Sequence, residues 1–238
     1  EQLVGWPTKR IRGANFAIEL HAHWLAEDLP NLRDRTYDPF EITDEDYKEL
    51  EEDLLPYWKD KTMAVQWGHY VPPEEWDRAQ FGGVSDVSNY LCANGSHFIP
   101  AWTEVIQHGF VKYYEEAKAL LAALDPNDPA SIDKRIFYNG ILEVLEAIRD
   151  WGERLSAACA RKAAQEKDPQ RKQELENMAE MMKRVPWGPA TSFYDACETA
   201  WAVCFFLFVE GAGPSITWSR FDQYMYPYYK ADMEKGIL

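Results

Sequence analysis

The ten residues Ala200-Trp-Ala-Val-Cys-Phe-Phe-Leu-Phe-Val209 are apolar without a break, and no other stretch constrains the chain more. The helix predicted from Phe193 to about Val209, begun at Thr191, presents apolar side chains on several sides, and such a helix belongs inside a large protein. About ten residues is half of what a membrane span needs, so the covering is expected to be protein. The chain then turns through Gly211, Gly213 and Pro214 into an aromatic cluster, Arg220-Phe-Asp-Gln-Tyr-Met-Tyr-Pro-Tyr-Tyr229. The glycines admit backbone angles closed to other residues, and the proline fixes one angle and removes a donor, so the loop is built to hold one shape. Arg220 and Asp222 lie among bulky rings, where an unpaired charge is costly. Each is expected to meet an opposite charge or several backbone groups, as support for the local geometry.

Helical periodicity continues upstream. Thr43-Asp-Glu-Asp46 has the form of a capping box, with Tyr47, Leu50, Leu54 and Leu55 following at helical spacing and Pro56 near the end. Trp102 to about Leu124 reads as a helix. Ser131 is expected to cap another, whose stripe of Ile136, Phe137, Ile141, Val144, Leu145, Ile148 and Leu155 is taken as a core face. Asp168-Pro169 starts a further helix with Leu175, Met178, Met181 and Met182 inward, the methionines acting as core filler. Residues 1–40 and 63–100 are rich in glycine, proline and aromatics, and are expected to lie across the helices as loops and short strands. The fold class predicted is mainly α with few short strands, and at least five helices starting near 43, 101, 131, 169 and 190.

Composition excludes several functions. Forty acidic against 25 basic residues give a net charge of −15, which argues against a partner held through its phosphates, so no nucleic acid is expected. Cys92, Cys159, Cys197 and Cys204 are scattered with no C-x-x-C pair, so no zinc cage and no disulfide framework is indicated. His21 and His23 are spaced to share one side of a strand, but no third ligand lies nearby and a packed ring is the plainer reading, so no metal is predicted. The expected setting is a reducing cytoplasm with no membrane span. Glu1-Gln-Leu-Val-Gly-Trp6 has neither the basic start nor the apolar segment of a signal peptide, and the chain is read as starting in mid-protein.

The stretch from Arg220 to Tyr229 resembles, residue for residue, the Arg-hydrophobic-Asp-Gln-Tyr-hydrophobic-aromatic-Pro-aromatic-aromatic signature of the glycyl radical enzymes. That family holds pyruvate formate-lyase, glycerol and diol dehydratases, choline trimethylamine-lyase and several decarboxylases. Glu1-Gln-Leu-Val-Gly5 is similar to an acidic-x-hydrophobic-hydrophobic-Gly segment found well inside such enzymes. The segment from Asp38-Pro-Phe40 to Trp58-Lys-Asp-Lys-Thr62 resembles one in choline trimethylamine-lyase-like members. The resemblance implies that residues 1–238 are one unit of a pyruvate formate-lyase-like domain, incomplete at both ends, that covers or begins an α/β barrel.

The family's chemistry requires a radical-storing glycine in an Arg-Val-x-Gly-aromatic context and a cysteine in a Gly-Cys-x-Glu context. Neither sequence occurs here, so no catalytic residue is assigned. What the resemblance implies instead is part of a substrate pocket. His97, in Asn-Gly-Ser-His, matches a substrate-contacting histidine of glycerol dehydratase-like members. Asn89 stands where choline-cleaving members carry a tyrosine. Since that position lacks the aromatic ring and His97 replaces a carboxylate, choline is disfavoured as substrate. Ser215-Ile-Thr217 matches a Ser-Ile-Ser segment, with Thr217 at the substrate-facing hydroxyl, and Trp218 replaces a small residue or proline, which would shrink the pocket or give it an apolar wall.

The function so implied is a segment of a dehydratase or lyase that cleaves a C–O, C–N, C–S or C–C bond of a small molecule without oxygen. A glycyl radical decarboxylase, a formate acyltransferase, and a non-catalytic helical scaffold of the same ancestry are the alternatives. No cofactor is expected on the chain itself. The radical, outside this segment, would be installed by an S-adenosylmethionine iron-sulfur activating enzyme. Further partners implied are the small-molecule substrate, the remainder of a parent polypeptide and, when intact, a second copy in a homodimer.

Overall fold

All five expected helix starts occur in the computed structural model, which describes residues 3–5, 18–19, 22–37, 39–70, 72, 74–75, 99–211 and 216–238. The α-helices among them are α1 (His23–Asp28), α2 (Asp44–Glu49), α3 (Leu55–Trp58), α4 (Met63–Gly68), α5 (Trp102–Ala122), α6 (Ile132–Gln165), α7 (Pro169–Met182), α8 (Phe193–Gly211) and α9 (Phe221–Glu234). The protein is mainly helical, and no strand forms among the described residues. The chain divides into two compact units. One comprises Glu1–Trp6, Ile99–Phe206 and Thr217–Leu238; the other comprises Pro7–Phe98 and Leu207–Ile216.

In the second unit, Thr43 caps α2 as its sequence foretells: Oγ1 accepts from the Asp46 N–H at 3.1 Å and donates to Asp46 Oδ2 at 2.7 Å. Between α2 and α3 the chain makes a π-helical turn, Leu50–Leu54. The wider turn sits where Pro56, with no N–H and a bulky ring, would otherwise collide with the preceding carbonyls, and the helix continues to Trp58. The expectation of loops and strands over 1–40 and 63–100 is corrected by α1, the 3-10 turn Leu29–Asn31 and α4. Ala22, Leu25, Leu29 and Leu32 do recur at helical spacing, and with Ile18 and Leu50 they form this unit's buried cluster. Thr62 caps α4, its Oγ1 accepting from the Val65 N–H at 3.3 Å.

The first unit is built on α6 and α7, joined by a short loop and packed against each other. Asp168 caps α7 by accepting from the Gln170 N–H at 3.2 Å, with Pro169 in the first turn. Leu175, Met178, Met181 and Met182 are buried with Val4, Cys159, Ala163, Ala179 and Val185, so the methionines are core filler as expected. Where the helices meet, the Ser156 hydroxyl donates to the Ala179 carbonyl at 2.7 Å, and a Cβ at Gly152 would stand 3.2 Å from the Met182 oxygen.

Two expectations about α6 are corrected. Ser131 does not cap it with its side chain; its hydroxyl donates to the carbonyls of Asp125 and Asp128. Asp128 caps instead, Oδ1 accepting from the Ala130 N–H at 2.9 Å at the 3-10 turn Pro129–Ser131. Nor is the whole stripe a core face, since Ile136, Phe137 and Val144 are 66%, 63% and 53% exposed whereas Leu145 and Ile148 are buried. Periodicity marks a face and says nothing about which part of it a shorter neighbour reaches.

Helix α5 is broken at Gly109, whose φ of 69° is left-handed. A Cβ there would meet the backbone of Trp187 and Gly188 at 2.3 to 2.5 Å. The freed groups are taken up by the loop after α7: the N–H groups of Phe110 and Val111 donate to the Pro186 and Trp187 carbonyls, and Ala190 N–H donates to the Ile106 carbonyl.

Candidate functional site

The aromatic stretch that follows the glycine–proline segment forms helix α9, which carries Pro227 inside it. Just before it, Thr217 and Trp218 are both exposed. The Thr217 carbonyl accepts from Trp102 Nε1–H at 2.9 Å, and its side chain has no partner among the described residues. The Trp218 carbonyl accepts from the Tyr224 hydroxyl at 2.8 Å. The Trp218 ring stacks on buried Trp102, centroids 5.1 Å apart and planes at 11°, and Trp102 also stacks on Tyr224 at 6.2 Å and 21°. Phe221 sets its ring edge-to-face against both Trp218 and Tyr224. Ser219 then takes a positive φ of 53° as the chain enters α9.

Electrostatics keep this cluster uncharged. Burial, followed by the nearby Cys204, pushes the Tyr224 phenol up to about 12. Burial alone pushes the Cys204 thiol up to about 11, which leaves it a thiol and a poor nucleophile. Thr217 is thus exposed with its carbonyl held, and the next residue, Trp218, has its ring fixed by stacking. Of the other expected site residues, His97 and Asn89 lie outside the described residues. Arg220 and Asp222 are both exposed, and neither meets an opposite charge among the described residues. That corrects the expected pairing, because α9 turns both outward.

The acidic side chains that are buried sit elsewhere, Asp195 and Glu198 on α8 and Asp232 on α9, so α8 does carry polar groups inside despite its apolar sequence. Asp195 accepts from Arg184 Nη2 at 2.8 Å and from the Thr191 N–H and hydroxyl, while Ser192 Oγ accepts from the Asp195 N–H. Asp232 of α9 accepts from the Phe193 N–H at 2.7 Å and so fastens α9 to the start of α8. Its other oxygen has no hydrogen bond; Lys235 Nζ stands 3.9 Å away, an ion-pair contact too long to be one. Glu198, fully buried, accepts from the Val4 N–H at 2.9 Å through Oε2, and its Oε1 has no partner. Burial pushes this carboxyl up to about 8, against the lowering effect of the Val4 hydrogen bond. Nearby, Trp201 Nε1–H donates to the Gly5 carbonyl at 3.1 Å.

Sequence reasoning missed Trp102, Tyr224 and Glu198. A tryptophan opening a helix and a tyrosine inside the signature gave no sign of meeting one segment, since the first contact spans 115 residues of chain. Among the described residues no group of His, Cys, Asp and Glu could hold a metal, and no helix is long and apolar enough to cross a membrane. A cavity of about 470 Å³ in the second unit is lined by Ala22, Leu29, Tyr47, Glu51, Leu55 and Lys59 among others, and holds none of the expected site residues.

The Pyruvate formate lyase-like family profile matches residues 1–238. The isethionate sulfite-lyase of Nitratidesulfovibrio vulgaris is 34% identical over 226 residues, which cover 92% of this chain and 27% of that enzyme. The glycerol-bound B12-independent glycerol dehydratase from Clostridium butyricum superposes with a TM-score of 0.86 at 33% identity, over 97% of this chain and 29% of that one. A Roseburia inulinivorans structure concerned with 1,2-propanediol dehydration gives 0.88 at 32% identity, over 100% and 28%. The chain thus spans just over a quarter of the length of the relatives it matches.

Proposed function

Because the chain belongs to the pyruvate formate lyase-like family of glycyl radical enzymes, we propose that it supplies one wall of the substrate pocket of a dehydratase or lyase acting on a small hydroxylated molecule. The observation that carries this reading is the exposed side chain of Thr217, unpartnered among the described residues and next in sequence to the stacked Trp218, at the position the family resemblance marks as substrate-facing. A substrate hydroxyl would pair with Thr217 Oγ1, and the Trp218 ring would limit the size of what lies alongside it. His97 and Asn89 are retained from the resemblance as substrate-contacting positions. The bond broken would be C–O or C–S, as the names of the relatives suggest. The radical itself would be held by residues this chain lacks and installed by a separate activating enzyme.

The test uses a full-length polypeptide carrying this chain, activated without oxygen and assayed for turnover per radical spin with small diols and hydroxysulfonates. Thr217→Val and His97→Ala are each expected to lower turnover at least tenfold with the spin concentration unchanged, since a site built to bond a substrate hydroxyl is left with the pairing broken. Native turnover per spin in Thr217→Val would remove the pocket reading.

A further inference from the structure

Two successive carbonyls, those of Thr217 and Trp218, are held by side-chain donors from two different helices and not by a neighbouring strand or a helical turn. We propose that Trp102 and Tyr224 are positioning residues for substrate, a clamp that aims the Thr217 hydroxyl and holds the Trp218 ring in place; this rests on the pocket reading above. A carbonyl's direction fixes ψ of its own residue, so pinning both oxygens leaves little freedom in the backbone that carries the Thr217 Cα–Cβ bond. The stack of Trp218 on Trp102 removes the remaining rotation of the wall. Trp102 is itself 3% exposed, so the clamp is anchored in the unit's interior.

Two observations separate a clamp from ordinary packing. Ser219, which is not glycine, sits at φ 53°, a conformation that persists only where the surroundings over-determine it. The donors also reach backbone oxygens and leave the Thr217 side chain unengaged among the described residues.

The experiment compares Trp102→Phe, Tyr224→Phe and Thr217→Val in a full-length polypeptide carrying this chain, with turnover per spin, KM and thermal unfolding measured for each. A fourth form places β-(3-benzothienyl)alanine at 102, which keeps the bicycle and its stacking and lacks only the N–H. Loss of either donor is expected to lower kcat per spin roughly tenfold to a hundredfold, the cost of misplacing a substrate-orienting group by about an ångström. KM should change less than kcat, spin concentration should be native, and amide exchange over residues 216–220 should quicken. The benzothienyl form, which keeps the stack, should lose turnover through the missing N–H alone and by no more than Trp102→Phe. Native turnover in the benzothienyl form and in Tyr224→Phe, beside an impaired Thr217→Val, overturns the clamp and leaves the pocket standing. Native turnover in Thr217→Val overturns the pocket, and with it any role of Trp102 and Tyr224 in placing substrate. Should Trp102→Phe fail to fold, the benzothienyl form and Tyr224→Phe still decide the matter.

Discussion

Replacing Glu198 by glutamine should shift the stability balance increasingly in favour of the variant as pH rises. The carboxyl is wholly buried with one hydrogen bond and one orphaned oxygen, and burial raises it from its ordinary 4.5 to about 8. Between those values the folded chain keeps the proton that the unfolded chain releases, so stability falls as pH rises through the window and levels off above about 8. At about 1.36 kcal/mol per unit of pKa, the full penalty has a ceiling of roughly 5 kcal/mol. Much of it accrues between pH 5.5 and 8: the same linkage gives a loss over that range of about 3 kcal/mol. Glutamine cannot titrate, and its amide oxygen can still accept from the Val4 N–H. Any constant cost of burying the amide appears equally at both pH values and cancels in the difference. Urea unfolding of both chains at pH 5.5, 6.5 and 8, clear of the isoelectric point near 4.8, should show the stability difference shifting by about 3 kcal/mol in favour of Glu198→Gln. Because the chain has two compact units, amide exchange of α8 should be followed beside fluorescence, to assign the transition to the unit that holds Glu198. Parallel pH profiles for the two proteins would refute the claim that Glu198 is held neutral by burial.

Three further outcomes follow from the geometry. Gly109→Ala should cost at least about 3 kcal/mol in urea unfolding, because φ is 69° and the new Cβ would overlap the Trp187–Gly188 backbone; a loss under about 1 kcal/mol would show that the break in α5 is not needed. The exposed Ile136, Phe137 and Val144 on α6 should bind a hydrophobic dye, and Phe137→Ser should weaken that binding while changing stability by no more than about 0.5 kcal/mol, as for a surface site. The 238-residue chain, mixed with an activating enzyme and S-adenosylmethionine, should give no glycyl radical signal by electron paramagnetic resonance, since no glycine stands in the required context; a doublet signal in this chain would contradict that.

Caps, turns and local periodicity are properties of neighbouring residues, and they were legible in the chain itself. Thr43 with Asp46, Asp168 with Pro169, and the inward Leu175, Met178, Met181 and Met182 behave as their spacing dictates, because a helix brings together residues three and four apart wherever it sits. The family signature from Arg220 to Tyr229 was legible for the same reason, being a contiguous string. Tertiary structure decided what periodicity leaves open, namely which part of a face is covered. It put Leu145 inside and Ile136 outside on one helix, turned Arg220 and Asp222 to solvent, and buried Asp195, Glu198 and Asp232. It also decided the candidate site, where Trp102 and Thr217 meet across 115 residues of chain through a single indole hydrogen bond. A contact of that range depends on how α5 and α9 dock, and docking depends on the shape of whole faces, which no short pattern encodes.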